Sequence, residues 1–286
     1  MRRESWPAVK GYELLERAGV GGLAEVFRAL APDGQRVALK ILKAELLEPR
    51  TARRFAREAR ATRDLEHPGL CPVLDTGLSE EGLPYLVYPW VEGLTLTAHG
   101  PVSTRRAVEL LGSLLDALAH AHDRGLVHRD ITPSNVMVGA SGPVLIDFGL
   151  VASFARSAGE ATWTRLTATG LVLGTPPYMA PEQIEGESVT PAADLWAIGA
   201  ILYWLVSGRP AFVARSTTLA MLETVSGPPV PLRRHAPHVH PSLEAVVLGA
   251  LERDPTRRPP SARAFREALL ATHVCDEPPP GILGSR

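Results

Sequence analysis

The sequence has little of what marks secreted, metal-binding or membrane-spanning chains. Among its 286 residues there are two cysteines, Cys71 and Cys275, too few for a disulfide framework and without Cys or His neighbours at metal-ligand spacing. The N-terminus lacks the apolar stretch of a secretory signal peptide. The longest apolar run, residues 195–206, is shorter than the ~20 residues that span a bilayer, and it predicts a buried core helix. We therefore expect a cytoplasmic chain with no membrane partner.

An excess of charge of one sign is also missing. Thirty Lys and Arg residues face thirty-one Asp and Glu residues, which gives a formal net charge of -1. A whole-molecule field that attracts nucleic acid or anionic membrane is thereby excluded, so partners must be recognised locally. A composition with 45% hydrophobic and 21% charged residues is that of a globular chain with a sizeable core.

The first third of the chain has the pattern of a small sheet with one helix. Residues 12–47 contain three strand-like segments, with Asp33 and Gly34 in a tight turn between the last two, and they predict an antiparallel meander. Residues 50–65 change to a helical period, which "HPG" ends, and residues 84–93 predict a further strand.

Beyond residues 92–95 the pattern becomes mainly helical. Helices are predicted over residues 104–125, 191–206 and 242–252. We find no internal repeat, and the tail "CDEPPPGILGSR" is predicted to be disordered.

A glycine-rich stretch, "RAGVGGLAEV", places Gly19, Gly21 and Gly22 between two predicted strands. Missing side chains let backbone N–H groups approach phosphate oxygens, although a flexible hairpin turn explains such a stretch equally well by itself. Ala24 stands where the pattern G-x-G-x-x-G has its third glycine. The position between strands, ahead of "VALK" ending at Lys40, favours a phosphate-binding turn.

Lys40 ends an alternating strand, where a lone lysine is usually a solvated edge charge. Glu58 lies three residues after Phe55 on the predicted helix and leans toward the same buried side. It is a candidate partner that would hold Lys40 against nucleotide phosphates. Judged by itself, Glu58 would be a surface residue of an Arg-rich helix.

The segment "VHRDITPSNVMVGASGPVLIDFG", residues 127–149, carries the strongest chemical signal. Asp130 and Asn135 flank a short loop, and a predicted hairpin returns Asp147 to the neighbourhood of Asn135. Mg²⁺ prefers such oxygen ligands together with phosphates, which suits Asn135 and Asp147. Asp130 is then the acceptor of a substrate hydroxyl proton.

In this order the motifs resemble the protein kinases, most closely the bacterial serine/threonine kinases of eukaryotic (Hanks) type, over residues 12–270. The resemblance implies an α+β, bilobal fold: a small antiparallel β-sheet lobe plus one helix, and a larger, mainly α-helical lobe. The implied divisions are an N-terminal extension at 1–11, the N-lobe at 12–91, the C-lobe at 92–272 and a tail at 273–286.

The implied activity is transfer of the ATP γ-phosphoryl group to protein Ser or Thr hydroxyls, with ATP and Mg²⁺ as cofactors. Asp130 is the implied catalytic base, Lys40 pairs with Glu58, and Asn135 and Asp147 hold magnesium. The residues implied to contact the nucleotide are Gly19, Val20, Gly21, Gly22, Val26, Ala38, Lys40, Tyr88, Pro89 and Val91. Of these, Tyr88 is the gatekeeper, and the Pro89 carbonyl and the Val91 amide face adenine; proline keeps the C=O that this role needs.

Downstream, "GTPPYMAPEQ" at residues 174–183 matches the end of a kinase activation segment, which forms a platform for a polypeptide substrate. By the resemblance, Glu182 pairs with Arg258 in a buried link and Asp194 anchors the catalytic loop. Alone, Asp194 would equally be a helix N-terminal residue favoured by the dipole. Thr175 favours a Ser or Thr acceptor over Tyr.

The segment between these motifs carries hydroxyls at Thr167 and Thr169, where related bacterial kinases are autophosphorylated. Arg129 would pair with such a phosphate. A merely polar loop is the alternative. The expected partners are protein substrates with a Ser or Thr acceptor, and a homodimer for autophosphorylation.

Thr132 stands where the kinase pattern most often has a lysine. Loss of one preorganised stabiliser of transition-state charge typically costs on the order of 10² to 10³ in rate, while Thr132 still offers one neutral hydrogen bond. Because Lys40, Asp130 and Asp147 are present, we expect an active enzyme. The alternatives are a nucleotide-binding scaffold of kinase fold, which Thr132 and Ala24 favour, and a small-molecule phosphotransferase, which "GTPPYMAPEQ" disfavours.

Overall fold

The computed structural model describes residues 6–22, 24–43, 62–63, 65–147, 176–212 and 216–274. Most of the helix predicted over 50–65, including Glu58, and the segment with Thr167 and Thr169 lie outside these ranges. The described residues fall into two compact units. The first unit contains the described residues up to Glu66, together with Cys71–Glu92. The second unit contains His67–Leu70 and the described residues from Gly93 onward.

The first unit is built on a five-stranded antiparallel sheet with the order β1-β2-β3-β5-β4. Its strands are β1 (Glu13–Val20), β2 (Ala24–Leu30), β3 (Arg36–Leu42), β4 (Asp75–Leu78) and β5 (Pro84–Pro89). The predicted meander corresponds to β1–β3, and Gly34, with a φ of 81°, forms the turn between β2 and β3. Strand β4 was not predicted, because "DTGL" has no apolar alternation and contains glycine, which is depleted in strands.

One face of this sheet carries the hydrophobic core of the first unit. Phe27, Leu39 and Val87 lie side by side on neighbouring strands and are almost fully buried. The chain ahead of β1 contributes to the same core: Val9 is buried in it, and the Trp6 ring lies 5.5 Å from that of Phe27. These large apolar side chains are removed from water on one side of the sheet, so the opposite side is left for other contacts.

The second unit combines a small sheet with helices. The sheet has the order β6-β7-β8, with β6 (Leu94–Thr95), β7 (Val136–Gly139) and β8 (Gly142–Leu145). The helices are α1 (Leu96–His99), α2 (Thr104–His122), α3 (Pro181–Ile184), α4 (Pro191–Ser207), α5 (Thr217–Ser226), α6 (Leu232–His235), α7 (Pro241–Ala250) and α8 (Ala262–Leu270).

Helix α4 is the core of the second unit, as its apolar sequence predicted. Trp196 and Tyr203 are fully buried, and α4 packs against α2 and α7. Helix α2 is amphipathic; the Ser103 side chain caps its N-terminus by accepting a hydrogen bond from Arg106 N, and the chain turns away at Gly125 with a φ of 72°. Within the described ranges, no helix is long and apolar enough to cross a bilayer.

Gly93, next to the boundary between the units, gives a test of the β6–β7 packing. Its φ is 151°, and an added Cβ would overlap the carbonyl oxygen of Val138. We therefore expect Gly93→Ala to lower the thermal unfolding midpoint more than Gly34→Ala, which has a positive φ but open space around it. The strain at Gly34→Ala alone costs about 1–2 kcal/mol. Equal midpoints for the two variants would show that the Val138 contact does not constrain residue 93.

Candidate active site

The segment 128–135 is fixed at its start by the buried carboxylate of Asp194, in the first turn of α4. Asp194 Oδ2 accepts the backbone N–H of His128 (2.9 Å) and lies 2.8 Å from Nε2 of His122, while Oδ1 accepts the N–H of Arg129 (2.8 Å). Asp194 is 1% exposed. A buried carboxylate needs several hydrogen bonds to offset its lost hydration, and here two of them are with loop amides, so the loop conformation is tied to α4.

His128 connects the loop to the end of β8. Its Nδ1 accepts the N–H of Asp130 (3.3 Å), so the ring proton lies on Nε2, which donates to the Ile146 carbonyl (3.3 Å). Burial lowers the pKa of His128, against the opposing effect of Asp194 and Asp130. The imidazole is thus neutral, and both of its nitrogens are used in holding the loop.

Two residues of the site adopt left-handed backbone conformations. Arg129 has a φ of 70° and Asp147 a φ of 65°, conformations that cost about 1–2 kcal/mol for residues other than glycine. At Arg129 the cost is offset by the Asp194 contact and by Gln183, whose Nε2 donates to the Arg129 carbonyl (2.8 Å). Gln183 Oε1 in turn accepts the N–H of Ala180 (3.0 Å), which ties residues 180–183 to the loop.

Asp130 and Asn135 are joined directly. Asn135 Nδ2 donates to the Asp130 carbonyl (2.8 Å) and lies 3.5 Å from the Asp130 carboxylate. Because the amide nitrogen is used inside the loop, the Asn135 side-chain oxygen remains as an acceptor or ligand. Ile146 N donates to the Asn135 carbonyl (2.9 Å), so Asp147 follows immediately after a residue bonded to Asn135.

Thr132 is 4% exposed, and its hydroxyl lies 2.8 Å from that of Ser134. It borders a small cavity, about 10 Å³, that is also lined by Asp130, Tyr178, Met179 and Gln183. Such a volume is about the least that holds one water molecule. Thr132 therefore borders a confined space beside Asp130, and its hydroxyl is paired with that of Ser134.

Glu182 and Arg258 form a buried, bidentate ion pair. Arg258 Nη1 lies 2.7 Å from Glu182 Oε1, and Nη2 lies 2.8 Å from Oε2. The Arg258 side chain is also bonded to the carbonyls of Glu252, Ala192 and Arg253, and its guanidinium lies 4.9 Å from the centre of the Trp196 ring. Because the partners satisfy each other, removal of one would leave a buried charge. The pair connects the start of α3 to the segment after α7.

In the first unit, the strand register places several predicted nucleotide residues together. Lys40 on β3 pairs with Val26 on β2, and Ala38 pairs with Tyr88 on β5. Directly paired residues of an antiparallel sheet lie on the same face, as do residues two apart on one strand. These four side chains therefore share the face opposite the hydrophobic core.

The glycine-rich stretch joins β1 to β2. Gly19 lies within β1 and pairs with Val26, whereas Gly21 and Gly22 form the turn, closed by a hydrogen bond from Gly21 N to the Ala24 carbonyl (2.8 Å). Val20 is 60% exposed at the end of β1. At the end of β5, the Pro89 carbonyl lies 3.9 Å from the Cys71 sulfur and Val91 follows outside the strand.

Two supporting residues were not identified from the sequence. His122 donates to Asp194, and Gln183 bridges the loop and residue 180. His122 could have been recognised as a supporting residue from its position, because it lies six residues before His128 at the end of a predicted helix. For Gln183 no local pattern exists, because its partners are distant backbone groups.

The comparisons with known proteins agree with this geometry. The protein kinase domain model matches residues 12–270. Among curated proteins, the chain is 37% identical over 277 residues to the serine/threonine-protein kinase PknB of Mycolicibacterium smegmatis, covering 93% of this chain and 44% of that protein. It is 39% identical over 278 residues to the DNA damage-responsive serine/threonine-protein kinase RqkA of Deinococcus radiodurans, covering 92% and 41%.

Among solved structures, the chain is similar to the kinase domain of Mycobacterium tuberculosis PknI, with a TM-score of 0.72 and 26% identity over 94% of this chain and 98% of that one. The chain spans less than half the length of the curated relatives it matches. The antiparallel sheet of the first unit and the helices of the second confirm the predicted fold class.

Asp194→Asn tests whether the carboxylate holds the loop. The amide keeps the shape of the carboxylate but removes the charge and one acceptor, and hydrogen bonds to charged groups are worth about 1.5–3 kcal/mol each. We expect a fall of about 3 kcal/mol or more in the free energy of unfolding, measured by urea denaturation. Asp123→Asn, which removes an exposed carboxylate paired with Arg263, is the matched control and should change stability little. A similar decrease in the free energy of unfolding for Asp194→Asn and Asp123→Asn would contradict the anchoring role of Asp194.

Proposed function

The chain belongs to the protein kinase family, and from its match over residues 12–270 we propose that it transfers the γ-phosphoryl group of ATP to serine or threonine hydroxyls of proteins. The observation that carries the proposal is the hydrogen-bonded loop in which Asp130 and Asn135 are joined and tied to Asp194. The names of the relatives, serine/threonine-protein kinases, support the acceptor class. The residues from Tyr178 to Gln183, bonded to that loop through Gln183, fit a platform for a polypeptide substrate.

Asp130 is proposed as the base that accepts the proton of the substrate hydroxyl. Its backbone is fixed on both sides, by His128 at its N–H and by Asn135 at its carbonyl. A fixed backbone limits the positions that the carboxylate can take, which favours one orientation toward an acceptor hydroxyl.

Asn135 and Asp147 are proposed to hold Mg²⁺. Their oxygens suit a hard cation that takes few protein ligands and completes its shell with phosphates and water. The structural support is the use of Asn135 Nδ2 inside the loop, which leaves its oxygen available. Within the described residues there is no group of three or more His, Cys, Asp or Glu side chains that would form a metal site without the nucleotide. When bound, Mg²⁺ would neutralise phosphate charge during transfer.

ATP is proposed to bind against the sheet face that carries Val26, Ala38, Lys40 and Tyr88. That face offers apolar surface for the adenine and one ammonium group for the phosphates. The turn with Gly21 and Gly22 would bring backbone N–H groups to the phosphates, and the chain at the end of β5 would contribute the Pro89 carbonyl and the Val91 N–H. Gly19 and Val20 lie next to this turn at the end of β1. The pairing of Lys40 with Glu58 remains a prediction on a residue outside the described part.

Regulation by phosphorylation at Thr167 and Thr169, also outside the described part, is proposed on the sequence alone. Arg129 would pair with the added phosphate, and its fixed left-handed backbone supports a defined orientation. The proposed partners are protein substrates and a second copy of the chain, which would supply the acceptor threonine in trans. A cytoplasmic location is proposed from the two cysteines, too few for a disulfide framework, and the lack of nucleic-acid and membrane partners is proposed from the balanced charge.

The activity is tested by incubating the purified protein with ATP and Mg²⁺, measuring phosphate incorporation, and mapping the sites by mass spectrometry. We expect phosphate on Thr167 or Thr169. Asp130→Asn should lower the rate about 10²- to 10⁴-fold, as expected for loss of a general base. Nucleotide binding without incorporation into the protein or a generic substrate would instead support a non-catalytic scaffold.

Thr132→Val tests the residue that replaces lysine. The change keeps the branched shape but removes the hydroxyl, and loss of one hydrogen bond to the transferring group is expected to lower kcat about 10²-fold with little effect on the KM for ATP. Ser134→Ala removes the partner of the Thr132 hydroxyl but leaves that hydroxyl in place, so it should lower kcat less than Thr132→Val does. An unchanged kcat for Thr132→Val would show that Thr132 takes no part in the transfer.

A further inference from the structure

The second unit carries a local concentration of positive charge outside the catalytic loop. Between Asp194 and Glu244 the chain has four arginines, at 209, 215, 233 and 234, and a single acidic residue, Glu223. The two acidic residues that bound this stretch are used within the protein, Asp194 by the amides of His128 and Arg129 and Glu244 by the amide of Arg233. Clustered arginines on an exposed surface attract anionic partners.

The fold brings two parts of this stretch together. Val230 N donates to the Ala211 carbonyl (3.0 Å), which joins the segment before α6 to the segment after Arg209. The hydroxyl of Tyr203 on α4 lies 2.9 Å from Nδ1 of His235 at the end of α6. Arg209 itself is held at its backbone N–H by Ser207 Oγ (3.1 Å). These contacts place the end of α4, residues 209–211 and α6 next to one another, and the charges of Arg209 and Arg234 both act on His235.

His235 contributes a directed donor to this surface. Burial, followed by the charge of Glu244, raises the pKa of Tyr203 to about 12, so the phenol keeps its proton and can donate it to Nδ1. Burial and the charges of Arg209 and Arg234 lower the pKa of His235, which keeps the imidazole neutral. We assign its one proton to Nε2, the nitrogen that faces away from Tyr203, because this tautomer lets the Tyr203 hydroxyl donate to Nδ1.

The two arginines beside this donor are available to a ligand. Arg209 and Arg234 are exposed, and across the described ranges neither has an acidic group within 4.0 Å. Arg233, by contrast, is used by the scaffold: its Nε donates to the Val239 carbonyl (3.1 Å), and its backbone N–H donates to Glu244 (2.8 Å). Two guanidinium groups and one N–H offer more hydrogen-bond donors than the two oxygens of a carboxylate can accept. A phosphate dianion offers three acceptor oxygens.

We propose that Arg209, Arg234 and His235 form a recognition site for a phosphorylated serine or threonine in a protein segment. The site is distinct from the loop that carries Asp130 and Asn135, and binding there requires no phosphoryl transfer. Recognition of phosphorylated residues by paired arginines is a general mode of peptide binding. A kinase with such a site would retain segments that already carry phosphate.

The test measures binding without ATP. A fluorescein-labelled peptide with one phosphoserine in a neutral sequence is titrated with the protein, and anisotropy is recorded. We expect binding that weakens with salt, and a loss of affinity of at least about tenfold in Arg209→Gln/Arg234→Gln, because bonds to charged groups are the strong ones. The matched control is Arg106→Gln/Arg263→Gln, which removes two exposed arginines paired with Glu109 and Asp123 and should bind as the unmodified protein does.

Two further binding measurements, with altered peptides and with anionic vesicles, identify the ligand that supplies the negative charge. The same peptide with serine or glutamate in place of phosphoserine should bind at least about tenfold more weakly. Equal binding of the phosphorylated and unphosphorylated peptides, or equal loss in both double variants, would overturn the proposal. Vesicles with phosphatidylserine that bind the protein through the same arginines, while the phosphopeptide does not, would assign the surface to a membrane and overturn it as well. Thermal melts of each variant exclude unfolding as the cause.

Discussion

The buried carboxylate of Asp194 is the contact on which the geometry of residues 128–135 depends. It fixes two consecutive backbone amides and receives a hydrogen bond from His122, so a charge that would be costly in isolation is matched by three donors. The left-handed conformation of Arg129 follows from this contact and from Gln183. Through His128, the same constraint reaches the end of β8 and hence the position of Asp147.

Sequence patterns predicted the parts of the fold that local periodicity encodes. The alternation in β2 and β3 and the continuous apolar run of α4 correspond to their burial in the structure. Strand β4 escaped prediction because its pairing with β5, and not its own composition, makes it a strand. Thus residues with their own periodicity were predictable, whereas those defined by a distant partner were not.

The candidate site divides in the same way. Asp130, Asn135 and Asp147 were identified because they lie close together in the chain, and a short hairpin was enough to relate them. The burial of Thr132 involves Tyr178, Met179 and Gln183, which line the same cavity and are distant in sequence. The bridging role of Gln183 depends on backbone groups, which carry no sequence signal.

Arginine has two opposite roles in the second unit. Arg258 is buried, hydrogen-bonded to Glu182 and to backbone carbonyls, and lies over the Trp196 ring, so its charge is compensated within the protein. Arg209 and Arg234 are exposed and keep their hydrogen-bonding capacity for other molecules. The difference lies in burial and partner number and not in residue type, since a guanidinium group binds planar anions in either setting.

The packing of Trp6 and Val9 has a consequence for how the domain is delimited. The family match begins at residue 12, but the hydrophobic core of the first unit begins earlier, because Val9 and Trp6 cover Phe27. A recombinant fragment cut at the family boundary would leave part of that core open to water and create an apolar patch on the sheet. The physical edge of the first unit is therefore set by side-chain burial, several residues ahead of the point where sequence similarity starts.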